Sequence, residues 1–369
     1  MFDVFSKVLS RFGYDKRSTT SNPAQWFIDW VSGGSESASG VKVSAQSALR
    51  YTPFWAAVRI ITGTIAELPF IVYSRREKGG GKDRRQDHKV YSLLHDRPND
   101  YMDALAFIET RQAHVLTYGN GYAEIQRDGS GRPIALWPLM PDRTARKIKD
   151  GVPYYEVQLP VGGSVNLPDY NVLHIKGLGF DGYTGYDVVS YHKDAIGYGI
   201  AVKEYGARFF SNGANVGGVF EHPAALSDTA KRHLEESLQL KHGGLSNAHR
   251  LMVVEEGMKW SQQAIDPKQA QALEVQKYTV DDCSRIFNIP PHMLASMDRA
   301  TFNNIEELNL KFLTMTMLYW IRKWEQECNY KLFMPSERGR LFAEILYDAL
   351  LRGNTTARYA AYNTGRLGG

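Results

Sequence analysis

The stretch that decides the fold runs from Arg285 to Phe333 and reads RIFNIPPHMLASMDRATFNNIEELNLKFLTMTMLYWIRKWEQECNYKLF. A helix-compatible segment ends at Asn288, because the Pro290-Pro291 pair lacks backbone N–H donors and pushes the residue before it out of the helical region. A loop follows, and Asn303 or Asn304 can cap the next helix. If that helix continues to Phe333, it spans roughly 45 Å at 1.5 Å per residue. The sequence thus predicts a loop fixed between two long helices.

Two helices before this loop predict a stalk. Asp187 to Ser211 reads as one helix of about 25 residues, roughly 37 Å long. Asp266-Pro267 begins the helix that reaches the loop, with Asp as the N-cap and Pro in the first turn. Gly197, Gly199 and Gly206 lie in the first of these helices, and we expect them to permit close approach of a neighbouring helix. A compact α/β segment lies between the two helices, so the pattern indicates a stalk that carries a small head.

The chain before Tyr186 predicts an α+β body with antiparallel strands. Apolar positions recur at helical spacing from Ser47 to Leu68 and from Met102 to Leu116. Short apolar runs separated by Gly and Pro turns predict strands at Leu68–Tyr73, Gly121–Gln126, Ile134–Leu136, Tyr154–Leu159 and Val172–Ile175. Elements in this order favour an α+β architecture over a series of βαβ units.

Residues 1–45 predict a flexible N-terminal arm. Met1 to Gly13 can form a short amphipathic helix, which we expect to dock on the protein's own body or on a partner rather than on a membrane surface. The segment Ser32 to Gly40, SGGSESASG, has the composition of a flexible linker. We therefore expect poor order up to about Ala45.

Composition excludes several classes of protein. The 44 basic residues are interleaved with 40 acidic ones, so the net charge of +4 does not provide the concentrated basic face of a dedicated DNA-binding domain. Cys283 and Cys328 are too few for a disulfide framework or a zinc site, and we predict buried free thiols. No run of about 18 apolar residues predicts a transmembrane helix, and the N-terminus lacks signal-peptide features. We expect an intracellular, reducing environment.

Motifs that would support catalysis are missing from the sequence. There is no G-x-x-x-x-G-K-[ST] phosphate loop. Gly177 to Gly182 matches G-x-G-x-x-G after a predicted strand, but the rest of a dinucleotide-binding unit is missing, so we interpret it as a loop with fortuitous spacing. The histidines show no metal-ligand spacing, and no G-x-S-x-G elbow occurs. We predict that the protein is not an enzyme, with no catalytic residue, metal site or cofactor.

Five short motifs precede the quoted stretch. They are Arg97-Pro98-Asn99, Tyr118–Tyr122 (YGNGY) with Gln126–Gly129 (QRDG), Leu136–Pro141 (LWPLMP), Gly182–Tyr186 (GYTGY) and Phe210–Ala214 (FSNGA). With the quoted stretch they cover roughly Tyr51 to Arg352, and their order resembles the portal protein (head-to-tail connector) family of tailed double-stranded DNA bacteriophages. Each motif alone is weak, but the ordered set is specific.

The resemblance implies a portal-type fold. Its parts are an α+β wing (46–186), two stem helices (187–213 and 266–288), a small α/β clip (214–265), a tunnel loop (289–303), a long wing helix with a return strand (304–352), and a short or truncated crown (353–369). Two departures from the family pattern stand out. Ala295-Ser296 replaces a frequent Gly after the Pro-Pro pair, and no Pro occurs near Leu318-Tyr319, so a kink there needs another cause.

The family implies a homo-oligomeric ring of twelve copies that forms the channel for DNA packaging into the head and for ejection from it. The implied partners are the terminase large subunit, a head-completion or tail adaptor protein, the major capsid protein, and double-stranded DNA contacted without sequence preference. No membrane is involved. The implied location is the virion, at a unique head vertex, after assembly in the host bacterial cytoplasm. Two alternatives stay open: a structural minor head or scaffold-type protein without DNA contact, and a nucleic-acid enzyme.

Two groups of side chains are the candidate functional residues under this resemblance. The tunnel loop would present His292, Met293, Met297, Arg299 and Asn303 to DNA. The clip helix would present Lys231, Arg232, Glu235 and Glu236 to partner proteins. A loop arginine is usually just solvated, and charged residues on a helix are usually an ordinary solvent face, so both readings compete with simpler ones.

Overall fold

The computed structural model describes residues 35–77, 80–160, 162–211, 218–221, 232, 259–262, 269–295 and 308–347. In chain order the elements are β1 (Ser35–Glu36), β2 (Lys42–Val43), α1 (Ala45–Arg50), α2 (Thr52–Glu67), β3 (Phe70–Arg75), β4 (Lys82–Arg84), α3 (Lys89–Tyr91), α4 (Ala104–Tyr118), β5 (Asn120–Arg127), β6 (Pro133–Leu139), β7 (Thr144–Lys149), β8 (Val152–Gln158), β9 (Ser164–Pro168), β10 (Val172–Lys176), α5 (Val188–Tyr191), α6 (Lys193–Ser211), β11 (Gly218–Glu221), β12 (Lys259–Gln262), α7 (Gln269–Phe287), α8 (Leu318–Lys331) and β13 (Leu341–Ile345). The mixture confirms the predicted α+β class.

The strands of the described ranges pair antiparallel, as predicted. Three three-stranded sheets have the orders β13-β3-β4, β10-β5-β6 and β7-β8-β9. In the first sheet, Ile345 pairs with Phe70, so the strand that follows the long helix returns to the strand that follows α2. Helix α4 packs against β5, and α8 packs against β10. The body is therefore closed by elements far apart in the sequence.

Buried aromatic rings hold these helices together. Trp324 of α8 is fully buried, and its ring meets the Phe107 ring of α4 edge-on at 6.5 Å between centroids. Its indole N–H donates to Gln112 Oε1 at 2.8 Å, which satisfies the polar end of the side chain. At the end of α7, Phe287 packs edge-on against Phe54 of α2 at 5.0 Å. The core of the body thus extends to the second stem helix.

Residues 35–45 are more ordered than predicted. Strands β1 and β2 pair with each other, and the Ala38 N–H donates to the Asp194 carboxylate of α6 at 2.8 Å. A Cβ on Gly197 would lie 2.3 Å from Ser37 Oγ, so this glycine lets the β1–β2 hairpin lie directly on α6. The prediction of a flexible arm and linker is therefore wrong for this part. The rest of the arm, including its amphipathic segment, lies outside the described residues.

Two helices predicted as continuous are interrupted. The first divides into α1 and α2 at Tyr51, which has extended backbone angles (φ −79°, ψ 115°). In an unbroken helix the Pro53 ring would clash with the carbonyl four residues earlier, so the break has a steric cause. The second divides into α5 and α6 at His192, whose angles (φ −107°, ψ 20°) leave the helical region.

Tyr51 fills the space between α6 and α7. A Cβ on Gly199 of α6 would lie 2.6 Å from the Tyr51 ring, and the phenol hydrogen-bonds the side chain of Thr279 on α7. Burial raises the pKa of Tyr51 to about 12, so the phenol stays neutral. The stem glycines do permit a close approach, but of a ring and a hairpin rather than of a helix. At Gly206 a Cβ would meet nothing within 4 Å.

The long wing helix carries a π-helical turn. The chain is helical at 308–312, forms the π turn at Leu313–Met317 and continues as α8. Within this turn the Leu318 N–H bonds to the Leu313 carbonyl, five residues back. A π turn is one of the few recognised causes of helix distortion. It lies next to the position where a proline is frequent in the resembled family, so it is the alternative source of a kink.

Two glycine motifs meet where the body joins the first stem helix. Gly119 ends α4 in the left-handed region (φ 73°), and its carbonyl accepts from the Gly177 N–H at 2.7 Å. A Cβ on Gly185 would lie 2.0 Å from that same carbonyl oxygen. The Asn120 amide bonds both backbone groups of Gly185, each at 2.8 Å. The YGNGY and GYTGY motifs therefore form one junction, which sets where α5 and α6 begin.

Replacing Gly185 by Ala should destabilise the fold by about 2 kcal/mol or more, because the new methyl group would overlap a backbone oxygen that cannot move freely. Chemical denaturation of the purified protein measures this difference. Gly63→Ala is the matched control: a Cβ there meets nothing within 4 Å, and alanine in α2 should raise stability by up to about 1 kcal/mol. Equal stability of the two variants would contradict the close approach at the junction.

Candidate functional site

The end of α7 fixes the root of the predicted tunnel loop. Asn288 follows the helix with φ 54°, a left-handed conformation that asparagine tolerates better than most residues. The Ile289 N–H returns to the Ser284 carbonyl at 3.0 Å, and the Asn288 N–H approaches the Arg285 carbonyl at 3.4 Å. These two bonds are those of a Schellman motif. Ile289 is buried, so the helix ends at a fixed point on the core rather than fraying.

The end of α7 is joined to the π turn of the long helix. The Thr316 hydroxyl donates to the Asn288 carbonyl at 2.6 Å. In return, the Asn288 side-chain amide lies 3.2 Å from Thr316 Oγ1 and 3.4 Å from the Met315 carbonyl. Thr316 is buried and Asn288 is exposed, so the two bonds to the threonine hydroxyl are partly buried and the bond to the Met315 carbonyl is open to water. We call this set of contacts the Asn288–Thr316 clamp. It holds the two sides of the loop together at its base.

The first part of the loop is a short 3-10 turn, Pro291–Leu294, that ends at Ala295 with φ 62°. The Ala295 N–H caps this turn by donating to the His292 carbonyl at 3.1 Å. A left-handed conformation costs an alanine roughly 1–2 kcal/mol, because its Cβ crowds the following carbonyl. This is the position where the resembled family often has glycine. The backbone at Ala295 thus has the conformation that glycine favours, although the residue is an alanine.

The predicted tunnel-loop side chains separate into two groups. His292 is half-buried, with Nε2 3.3 Å from Asn309 Oδ1. Met293 packs against the main hydrophobic core, which differs from the flexible, freely presented side chain that the sequence predicted. The physical reason is the 3-10 turn, which bends the chain back over the core. Met297, Arg299 and Asn303 lie outside the described residues, and their contact with DNA stays a prediction.

Of the predicted clip, the structure describes one strand pair and one residue. Strand β11 pairs with β12, and the register joins Val219 to Ser261. Arg232 is helical and exposed, which agrees with its predicted place on a helix. Lys231, Glu235 and Glu236 lie outside the described residues. The role of these four side chains in partner binding stays a prediction.

A buried polar network behind the glycine junction was missed in the sequence. His174 of β10 has Nδ1 3.0 Å from the Tyr155 hydroxyl and Nε2 2.9 Å from Asn120 Oδ1. Burial lowers the pKa of His174 well below its ordinary value, so the ring is neutral and carries one N–H. Asn120 Oδ1 can only accept, so Nε2 holds the hydrogen and Nδ1 accepts from the tyrosine. The sequence signals were Asn120, within YGNGY, and His174 itself, a polar residue within a predicted strand that can hydrogen-bond there.

Glu327 of α8 adds a carboxylate to this network. It accepts from the His174 backbone N–H at 3.2 Å, and burial raises its pKa above the ordinary glutamate value. The nearby Lys331 ammonium bonds the backbone and side chain of Asp169. These groups lie between β10 and α8, so their contacts join sheet to helix.

Several features bear on the chemistry that the described ranges can support. Among the residues that the structure describes, no cluster of three or more His, Cys, Asp and Glu side chains could hold a metal ion. No helix in that part is long and apolar enough to cross a membrane. Cys283 and Cys328 are buried free thiols, as predicted. Burial raises the pKa of Cys283 to about 12, which removes the thiolate that reactivity requires.

Restoring glycine at the loop root should stabilise the protein. Ala295→Gly removes the steric cost of the positive φ and should raise the free energy of unfolding by about 1 kcal/mol. Ala207→Gly is the matched control, since Ala207 is exposed within α6 and glycine there should lower stability by about 1 kcal/mol. Urea denaturation measures both changes. Two changes of the same sign would contradict the left-handed assignment of Ala295.

Comparison with known proteins places this geometry in a family. The sequence profile described as "Phage portal protein" matches residues 52–369. The chain is 28% identical over 351 residues to the probable portal protein of Streptomyces phage phiC31, covering 91% of this chain and 75% of that one. It is also 28% identical over 321 residues to the portal protein of Enterobacteria phage HK97, with 86% and 75% covered.

Solved structures share the fold. A chain from the neck of a native gene transfer agent particle, computed with C12 symmetry, superposes with a TM-score of 0.61 at 22% identity, covering 86% of this chain and 89% of that one. An HK97-family phage portal protein from Corynebacterium diphtheriae superposes with a TM-score of 0.60 at 14% identity, covering 84% and 96%. The profile match extends over most of the chain and includes the loop root, the clamp and the glycine junction. The chain therefore belongs to the phage portal protein family.

Proposed function

We propose that this chain is the subunit of a portal ring whose channel passes DNA into the phage head and out again. The observation that carries the proposal is the Asn288–Thr316 clamp. It fixes both sides of the tunnel loop at one point on a rigid core, as a loop that must meet a moving duplex requires. A loop rooted in this way keeps its position while the residues at its tip change contacts.

The ring itself is proposed to contain twelve copies. One of the related neck structures was computed with C12 symmetry and another with C6 symmetry, and both superpose on this chain. Contacts between two different surfaces of each subunit can close such a ring. In that arrangement every copy presents its loop toward one axis. The ring would belong to the virion, at the vertex where the head meets the neck.

DNA passage through this channel requires weak contacts that do not read sequence. Phosphate contacts position a duplex without reading its bases, and their strength falls as salt rises. Arg299 in the tunnel loop is the proposed phosphate contact, repeated once per copy around the axis. The modest net charge of +4 is compatible with a channel that does not hold DNA tightly.

Negative-stain microscopy of the purified protein with symmetry analysis tests the ring. We expect particles with a central channel of DNA width and subunit interfaces well above about 1,000 Å². Light scattering that shows only monomers across the micromolar range would count against the proposal. Assays for nuclease and ATPase activity of the same preparation test the enzymatic alternative, and activity that co-purifies with the rings would favour it.

Arg299→Ala should assemble normally but lower DNA retention or packaging yield, because it removes one phosphate contact per subunit and leaves the fold intact. Deleting residues between Ser296 and Ala300 should lower retention further, since it removes steric as well as electrostatic contact. Packaged DNA per particle, measured by quantitative PCR after nuclease treatment, reports both effects. Arg338→Ala, outside the loop, is the control. Normal retention in the shortened variant would exclude the loop from the channel.

The clip is the proposed docking surface for the terminase large subunit and then for the head-completion or tail adaptor protein, while the wing would face the major capsid protein. Reversing the charge of Lys231 and Arg232 together should impair packaging or tail joining without affecting ring assembly. These two residues are chosen because of their position on the predicted clip helix. Packaging and tail-joining yields measured in parallel with microscopy of the rings separate the two effects. Normal packaging and tail-joining yields in this variant would show that the partner contact lies on another part of the clip.

A further inference from the structure

The loop between β10 and α5 presents an apolar tip to solvent. Phe180 is 94% exposed and Leu178 is 76% exposed. An exposed phenylalanine ring keeps a large apolar area in contact with water, which is unfavourable unless a partner covers it. We call residues 177–186 the Phe180 loop.

This loop is held in one shape. The Asp181 carboxylate accepts from the Tyr183 N–H at 2.7 Å and from the Thr184 N–H at 3.0 Å. The Tyr186 N–H donates back to the Leu178 carbonyl at 2.8 Å. A Cβ on Gly179 would lie 1.7 Å from the Thr184 carbonyl oxygen, so the two sides of the loop touch. The exposed ring of Phe180 is therefore presented by a rigid support, which lowers the entropy cost of binding a partner.

A cleft of about 420 Å³ lies on α8 and the β13-β3-β4 sheet. Its apolar lining comes from Leu318 and Ile321 of α8 and from Phe342 of β13. Arg75 and Arg322 also line it, and the Arg75 guanidinium lies 4.8 Å from the centre of the Phe342 ring. Glu325 and Glu344 line it too, so the cleft is mixed in charge. Its apolar side chains and the two guanidinium groups can accommodate an aromatic ring, and Arg322 can meet a carboxylate.

The loop and the cleft lie on different sides of α8. The root of the loop is fixed to Lys323, whose ammonium bonds the carbonyls of Lys176 and Gly177 at 2.7 and 2.9 Å. Successive residues of an α-helix are about 100° apart, so Leu318 and Glu325 lie roughly 140° and 160° around the helix axis from Lys323, while Arg322 and Gln326 lie at about 100° and 60°. Most of the cleft therefore faces away from the root of the loop, which favours a contact between subunits over one within a subunit.

We propose that the Phe180 loop of one subunit inserts into the α8–β13 cleft of the next subunit around the ring. Phe180 would pack on the half-buried side chains of Leu318 and Phe342, and the Asp181 carboxylate would face Arg322. Two different surfaces on opposite sides of each subunit make a head-to-tail contact, which can repeat around an axis and close. This inference rests on the proposed ring and names the contact that builds it.

A second cavity, of about 590 Å³, lies beside the loop and includes Leu178, Tyr186 and Tyr319 in its lining. Insertion of Phe180 into that cavity of another copy would bring two loops face to face, because loop and cavity share one side of the subunit. Such a two-fold contact ends at a dimer and does not build a ring. We therefore assign the Phe180 loop of the neighbouring subunit to the cleft on the far side of α8.

Cysteine cross-linking tests the contact directly. Phe180→Cys combined with Gln326→Cys, on the rim of the cleft, should give a ladder of covalent dimers, trimers and higher species with a short bis-maleimide. Each single variant should give none. The native cysteines are buried, so the background should be low. Tyr170→Cys combined with Gln326→Cys is the matched control, since Tyr170 is also exposed (62%) but lies outside the Phe180 loop.

The outcomes separate this inference from the proposed function. Rings seen by microscopy without a ladder from the double variant would overturn the contact and leave the portal ring standing. Covalent dimers from the Phe180→Cys single variant would overturn the insertion, because they would show that two Phe180 loops meet in a two-fold contact. A wild-type protein that forms no ring would overturn both proposals.

Self-association strength gives a second measurement that does not need cysteines. Phe180→Ser should raise the midpoint concentration of ring formation at least about tenfold, as expected when a central aromatic anchor is lost. Tyr170→Ser, the matched control, should leave it unchanged. Because Phe180 is nearly fully exposed within one subunit, its loss should not change the thermal stability of the monomer. Equal midpoints for both variants would contradict the insertion.

Discussion

The hydrogen bonds between Asn288 and Thr316 are the constraint on which the rest of the structure depends. Asn288 ends α7 in a left-handed conformation, and Thr316 lies in the π turn of the long helix. The threonine hydroxyl satisfies a carbonyl that the end of a helix leaves without an intrahelical partner. Thr316 is buried and Asn288 is exposed, so breaking the pair would leave the threonine hydroxyl unsatisfied, at a cost of about 1 kcal/mol. The clamp thereby sets the distance between the two sides of the tunnel loop.

Polar groups also fix how α4 lies on its sheet. The Arg111 guanidinium is fully enclosed and donates to the Tyr122 carbonyl at 2.5 Å and the Leu139 carbonyl at 2.8 Å. Burial lowers its pKa to about 9, so it remains a cation at neutral pH. A buried cation is costly unless acceptors surround it, and these two carbonyls come from the neighbouring strands β5 and β6. Both bonds come from one terminal nitrogen, so the arginine ties α4 to two adjacent strands at once.

The body of the subunit has two unlike faces. One carries the Phe180 loop next to the glycine junction, and the other carries the α8–β13 cleft. Helix α8 lies between them and also contributes Trp324 to the core. The same helix follows the π turn at the loop root. If the proposed contact forms, neighbouring subunits are joined through the helix that the clamp ties to the base of the tunnel loop.

Local chemistry determined much of this architecture from the sequence alone. The Pro290-Pro291 pair ends a helix wherever it occurs, because proline lacks the N–H and clashes with the preceding turn. The spacing of apolar positions predicted α2, α4 and the strands β3, β5, β6, β8 and β10, since each spacing puts one face toward the core. It did not predict β7 or β9. The ordered motifs led to the portal family. All of these signals lie within short stretches of chain.

Tertiary structure decided what depends on residues far apart in the sequence. Gly197 and Gly199 predict a close helix contact, but their neighbours are Ser37 and the Tyr51 ring, more than a hundred residues away. The His174 network takes its members from β5, β8, β10 and α8, so no local spacing could reveal it. The glycine spacing of the Phe180 loop predicts a loop and nothing about its exposure. Its exposure and the cleft across α8 arise only when the sheets and helices pack, because burial is a property of the folded chain.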